Sequence, residues 1–118
     1  MSTGKPPPVR ELVGRGDIWW VSLDPAEGSE IRKTRPAVVI TADALNRGRR
    51  TVVVVPLSTG PEPRPPIVVA TPSAGPGSVA VCDQLRAVDK RRLTRLYGRL
   101  SPSDLGIVED GVRRVLSL

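Results

Sequence analysis

The stretch "RGDIWWVSLDPAEGSEIRKTRPAVVI", residues 15–40, decides the architecture. It reads as two short apolar strands joined by a loop. In the first, Arg15 to Leu23, the side chains of Asp17, Trp19, Val21 and Leu23 point one way and those of Ile18, Trp20 and Ser22 the other. Apolar groups on both faces imply that both faces are covered. The second strand, Pro36 to Thr41, carries Pro36 at its first position, where a missing N–H is tolerated. The loop between them holds Glu27, Glu30, Arg32, Lys33 and Arg35. That is more charge than a turn needs, so the loop is a candidate for chemistry.

Outward from this pair, "ADALNRGRR" (42–50) reads as a short helical turn and a basic loop. Thr51 to Leu57, "TVVVVPL", is a continuous β-branched run of the kind found in a central buried strand. "STGPEPRPP" (58–66) is a stiff connection. Ile67–Ala70 and Ser78–Cys82 are further short strands. Residues 89–93 suggest a helical turn and Leu96–Leu100 a closing strand. At the C-terminus, Ser101 is an N-cap, Pro102 takes the first helical position, and Asp104 at the third completes a capping-box pattern. Leu105, Val108, Val112, Val115 and Leu116 then form one apolar stripe at helical spacing. Gly106 and Gly111 weaken this helix by roughly 1 kcal/mol each relative to alanine, so tertiary packing must hold it. The expected class is mainly β (α+β): a small β-barrel with short helical turns, sealed by a C-terminal amphipathic helix. Residues 1–14, Pro-rich and polar, are expected to be a disordered leader, and 15–118 a single domain.

The chain carries 18 Lys+Arg against 12 Asp+Glu, a net charge of +6, and 15 of the 18 cations are arginine. The planar guanidinium binds phosphate oxygens bidentately, which points to nucleic acid. A GC-rich coding bias is the competing source of the same excess. The absence of histidine excludes more than the charge implies. A paired-histidine nuclease, a Ser-His-Asp triad and a histidine-ligated zinc site are all impossible. One cysteine cannot build a thiolate cluster or an internal disulfide, and Cys82 reads as a small buried hydrophobe. No metal and no cofactor is expected. No apolar run reaches the roughly 18 residues of a membrane span, and the N-terminus lacks a secretory apolar segment, so cytoplasmic residence is the default.

Arg35 directly precedes Pro36, which pushes the backbone at Arg35 toward extended geometry. Ser58 and Thr59 end the central strand. If those two strands pair antiparallel, Arg35 and the two hydroxyls fall at one end of the sheet, with Glu30 able to fold over it. A cation, a hydroxyl and a carboxylate around one patch suit phosphoryl chemistry. Without a metal, the available nucleophile in RNA is its own 2′-OH, and Arg35 would hold the charge that builds on the non-bridging oxygens.

"RGDIWWVSLDPAEGSE", then "RPAVVI", "VVVVPLST" and "SVAVCDQLRAVDKRRL", in that order and spacing, resemble the MazF/PemK family of toxins from bacterial toxin–antitoxin systems. The resemblance covers about 100 residues from Arg15 onward. It implies an SH3-like barrel with a C-terminal helix, assembled as a homodimer. It also implies a metal-independent endoribonuclease cutting single-stranded RNA at short sequences, and a cognate antitoxin whose acidic, flexible tail blocks the site. The toxin–antitoxin complex is expected to bind operator DNA. By position, Arg35 matches the family's catalytic arginine and Ser58 falls where the family usually has a catalytic threonine. Glu30 matches its loop carboxylate and Asp83 an acid that some members use; either is a candidate base. Val81 stands where some members carry an arginine. Lys33, Thr59, Arg47, Arg49, Arg50, Arg64 and Arg86 are the expected RNA contacts.

The basic run Lys90, Arg91, Arg92, Arg95 and Arg99 is a solvated face, a track for RNA, or the receiver of the acidic tail. Trp19 and Trp20 must point to opposite faces. One fills the interior; the other covers a subunit interface or stacks on a base, the interface being favoured. Two other functions fit the same barrel: a DNA-gyrase poison, although the end "VRRVLSL" lacks an aromatic, and a non-catalytic RNA-binding module.

Overall fold

The computed structural model describes residues 12–22 and 34–118. Most of the expected leader, and the loop residues Glu27, Glu30, Arg32 and Lys33, lie outside the described residues. The elements run β1 (Asp17–Ser22), β2 (Thr34–Val39), α1 (Asp43–Gly48), β3 (Thr51–Ser58), β4 (Val68–Ala70), β5 (Val79–Val81), β6 (Arg86–Asp89), β7 (Leu93–Arg99) and α2 (Pro102–Leu116). Short 3₁₀ turns at Pro72–Ala74, Cys82–Gln84 and Lys90–Arg92 link the later strands.

All the ladders are antiparallel, in the order β4-β5-β3-β2-β1-β7, with β6 also on β3. The β-branched run of β3 is the hub. On one side it pairs with β2, from Ala37↔Pro56 to Val39↔Val54. On the other, its first half pairs with β6 and its last two residues with β5. Between these partners the β5/β6 side of β3 is open for two residues. Pro56 stands in this gap, where the lack of an N–H removes no bond to either neighbour.

The structure modifies the expected barrel. Among the described residues no ladder joins β6 to β7, so the sheet is mainly β and strongly curled but not closed. The chain leaves β6 through the Lys90–Arg92 turn, and β7 then pairs with β1 instead of turning back on β6. Strand β6, "RAVD", has no signature in the sequence, because two of its four residues are charged and break any strand-like run. Pro36 is the third residue of β2, within its ladder to β1 and one residue ahead of its ladder to β3.

Alternation along the strands creates two cores, as apolar groups on both faces of residues 17–22 implied. Ile18, Val38, Val55 and Leu57 face α2, where Leu105, Val108, Val112 and Val115 cover them. Trp19, Val21, Ala37, Val39, Val52, Val54, Val88 and Leu93 pack together on the opposite, concave face. Trp19 is therefore the tryptophan that fills the interior. Leu116, the last residue of the predicted stripe, is exposed.

The cap of α2 differs from the sequence pattern in one respect. Ser101 Oγ accepts from the Asp104 N–H at 3.0 Å, as predicted. The Asp104 carboxylate does not return to Ser101 but accepts from the Ser73 N–H at 2.8 Å, and the Ser101 N–H donates to Ser73 Oγ at 3.0 Å. The buried carboxylate thus ties the helix to the Pro72–Ala74 turn. Gly111 is there for a packing reason: a Cβ would stand 2.7 Å from Cys82 Sγ and 3.0 Å from the Pro66 carbonyl oxygen. The helix backbone approaches the Cys82–Gln84 turn closely because no side chain intervenes.

Candidate active site

The β2–β3 register sets residue pairs whose numbers sum to 93, so Arg35 extrapolates to the position opposite Ser58. Both lie at the strand ends that the loops leave. Side chains alternate along a strand, so Arg35 shares a face with Ala37 and Val39, and Ser58 with Val54 and Pro56. That is the concave face in both cases. A guanidinium and a hydroxyl therefore project to the same side from adjacent strand ends. Arg35 is exposed and Ser58 half-buried, so the pair is open to a ligand yet carried on a rigid sheet.

Two clefts meet at this pair. The first, about 460 Å³, is lined by Trp20, Pro36, Tyr97 and Ser78 together with Arg35, Ser58 and Thr59. Its aromatic wall is ordered: Trp20 and Tyr97 pack edge-to-face with centroids 5.4 Å apart, and the Arg95 guanidinium lies 5.6 Å from the Trp20 ring centroid. The Tyr97 hydroxyl donates to the Ala74 carbonyl at 2.8 Å. The second cleft, about 600 Å³, fills the gap where β5 and β6 part from β3 and is lined by Arg35, Ser58, Gln84 and Arg86 above an apolar floor. Arg86 pairs with Val54, so it too projects from the concave face.

The remaining expected site residues are distributed differently. Thr59 lines the first cleft. Asp83 is exposed on the 3₁₀ turn but lines neither cleft; its neighbour Gln84 does. Arg64 is exposed and bonds through its backbone to Val68, at 2.6 and 2.9 Å. Arg47, Arg49 and Arg50 precede β3, whereas Ser58 ends it. Seven strand steps separate those ends, roughly 23 Å. Lys90 is tied to the segment of these three arginines: its N–H donates to the Arg50 carbonyl at 2.8 Å and its ammonium to the Asn46 carbonyl. The three arginines are remote from Arg35. Gln84 has no signature in the sequence; only the register of β3 with β5 and β6 brings it to the cleft.

Cys82 is fully buried under α2, and burial pushes its thiol up to about 11 from 9.0. It is a packing group with no thiolate at neutral pH. Among the described residues no group of three or more Cys, Asp and Glu side chains is placed to hold a metal ion. No helix among them is long and apolar enough to cross a membrane.

Residues 14–116 match the family described as PemK-like, MazF-like toxin of type II toxin-antitoxin system. The chain is similar to Endoribonuclease MazF9 of Mycobacterium tuberculosis, 34% identical over 116 residues that cover 91% of this chain and 98% of the relative. It is similar to Endoribonuclease EndoA of Bacillus subtilis, 30% identical over 91% of this chain and 97% of the relative. Its fold superposes on a MazE–MazF complex from Deinococcus radiodurans, with a TM-score of 0.76 at 24% identity, covering 90% of this chain and 96% of that one. A mycobacterial endoribonuclease solved with its cognate antitoxin gives a TM-score of 0.75 at 22% identity, covering 90% and 96%. With a family match running nearly end to end, and relatives at 30% identity or more matched over almost their whole length, this chain belongs to the PemK-like, MazF-like toxins of type II toxin–antitoxin systems.

Proposed function

We propose that this chain is an endoribonuclease toxin that cleaves single-stranded RNA without a metal, at a phosphodiester held between Arg35 and Ser58. The observation that carries the reading is the cross-strand placement of those two side chains on one face, at the mouth of a cleft. The 2′-OH gives its proton to the base and attacks the adjacent phosphorus in line; the P–O2′ bond forms as the P–O5′ bond breaks, and the leaving 5′ oxygen takes a proton from solvent, giving a 2′,3′-cyclic phosphate and a 5′-OH end. Negative charge develops on the two non-bridging oxygens, which the Arg35 fork stabilises, while Ser58 adds a further hydrogen bond to the phosphate. Arginine keeps its proton at neutral pH, so its first role is charge stabilisation rather than acid catalysis. The base is a carboxylate. Asp83 lines neither cleft, which favours Glu30 on the loop outside the described residues. Arg86, with Lys33 and Thr59, would hold the flanking backbone. The distance of Arg47, Arg49 and Arg50 from the pair makes them contacts for the outer parts of a long RNA.

The partners follow from the family and from surface chemistry. Among the described residues β7 pairs only with β1, and it exposes Leu96 and Tyr97 beside Arg95 and Arg99. An unpaired edge with exposed apolar groups suits a homodimer contact, and its cations suit an antitoxin's acidic tail. The antitoxin complex would bind operator DNA. The reading is tested by incubating the purified chain with a long single-stranded RNA in excess EDTA. The expected result is discrete fragments bearing 5′-OH ends and 2′,3′-cyclic phosphates. Intact RNA would contradict it.

A further inference from the structure

Gln84 lies in the second cleft and has no part in the chemistry above. It sits on the 3₁₀ turn Cys82–Gln84, and that turn is fixed from below. Cys82 is wholly buried, its N–H donates to the Ile67 carbonyl at 2.7 Å, and Gly111 lets the α2 backbone press against its sulfur. Gln84 itself is exposed toward the cleft that Arg35 and Ser58 enter.

The other polar groups of this cleft differ in kind. Arg35 and Arg86 are donors only and suit phosphate. Ser58 rotates its hydroxyl to suit either role. Gln84 alone among the described lining residues presents a side-chain donor and acceptor side by side in one plane. That pattern is sequence-reading chemistry. The amide of glutamine matches the adjacent donor and acceptor of adenine, whereas a carboxylate accepts from the amino group of cytosine. Single-stranded RNA presents such base edges unpaired. The cleft is large enough for a nucleotide, and Pro61, Val68 and Val81 give it an apolar wall for the face of a base.

We infer that Gln84 is a specificity-determining residue, which reads the base of the nucleotide beside the scissile phosphodiester and favours adenine there. This rests on the nuclease reading above. Arg86, two residues on, would hold that nucleotide's phosphate, so selection and anchoring come from one short segment.

The test is to sequence the cut ends of one long RNA digested by the parent protein and by the Gln84→Ala and Gln84→Glu variants. Each variant is first checked by thermal melting for an intact fold. The parent should enrich adenine at one position within two nucleotides of the cut. Gln84→Ala should lower that preference by about 5- to 150-fold, the worth of one good bidentate base contact. Gln84→Glu should move the preference toward cytosine. Variants that keep the parent's base frequencies would overturn this inference alone. So would a parent with no adenine enrichment, or a loss of rate shared equally by all four bases, which would mark Gln84 as a positioning group. A parent that leaves the RNA whole would overturn the nuclease reading instead.

Discussion

Arg35→Ala should lower RNA cleavage by at least about 10²- to 10³-fold while the protein melts within a few degrees of the parent. The rate term follows from removing a preorganised donor to a developing oxyanion, which costs about that much where it has been measured. Arginine offers two such donors in one fork, so the lower bound is set by a single one. The stability term follows from position. Arg35 is exposed, forms no ion pair among those seen in the described residues, and lies at a strand end, where surface substitutions stay within about 0.5 kcal/mol. Ser58→Ala should be milder, about 10- to 150-fold, from the roughly 1.5–3 kcal/mol of a hydrogen bond to a charged group. A folded Arg35→Ala protein that cuts RNA at the parent rate would remove Arg35 from the chemistry.

Trp19→Ala should be the most damaging of the two tryptophan substitutions, and by a wide margin. Trp19 is 2% exposed and packs in the concave core with Val21, Val39 and Val88. Emptying a site of that size costs about 3–5 kcal/mol, a large share of the 5–15 kcal/mol that holds a domain folded. At about 4–8 °C per kcal/mol, the melting temperature should fall by at least about 12 °C. Trp20→Ala should cost far less, because Trp20 is half-buried and gives up an edge-to-face pair with Tyr97 and a contact with Arg95. Those are worth about 0.5–1.5 and 0.5–1 kcal/mol. Thermal melts of the two variants side by side check this. Equal losses, or a larger loss at position 20, would mean that the interior is filled from the other face.

The tryptophan pair also indicates how much of the fold is readable from the residues. Alternation in "DIWWVS" identifies two covered faces, because period-2 patterning is a local property. It cannot say which tryptophan lies inside, since both neighbours are apolar and the answer depends on where Val88 and Leu93 arrive, some 70 residues later. Thr51–Ser58 is legible as the hub because an unbroken β-branched run has few other uses. The four residues of β6 are not legible, because Arg86 and Asp89 break any hydrophobic pattern and only the ladder to β3 makes a strand of them. Asp104 is a similar case. Its spacing from Ser101 fits a capping box, yet the Ser73 N–H, 31 residues away in sequence, competes for the carboxylate and wins. Tertiary partners outrank local motifs wherever a buried group can choose between them.

The same division runs through the site. Arg35 and Ser58 could be paired on paper, since two adjacent antiparallel strands put their loop ends together. The basic loop 47–50 could not be placed that way. A count of arginines says nothing of direction, and β3 carries these three to the far end from Ser58. Gln84 was hidden because an uncharged amide in a turn has no pattern of its own. It acquires meaning only from the cleft that opens where β5 and β6 leave β3.

One guanidinium and one hydroxyl are expected to act on the same phosphodiester. A double-mutant cycle on RNA cleavage tests this most directly, using Arg35→Lys, which keeps the charge but loses the fork, and Ser58→Ala, singly and together. If both groups hold one phosphate, the combined loss in kcat/KM falls short of the product of the single losses, with a coupling of about 1–3 kcal/mol. Losses that multiply to within about 0.5 kcal/mol would mean that the two side chains act independently and do not share one phosphate.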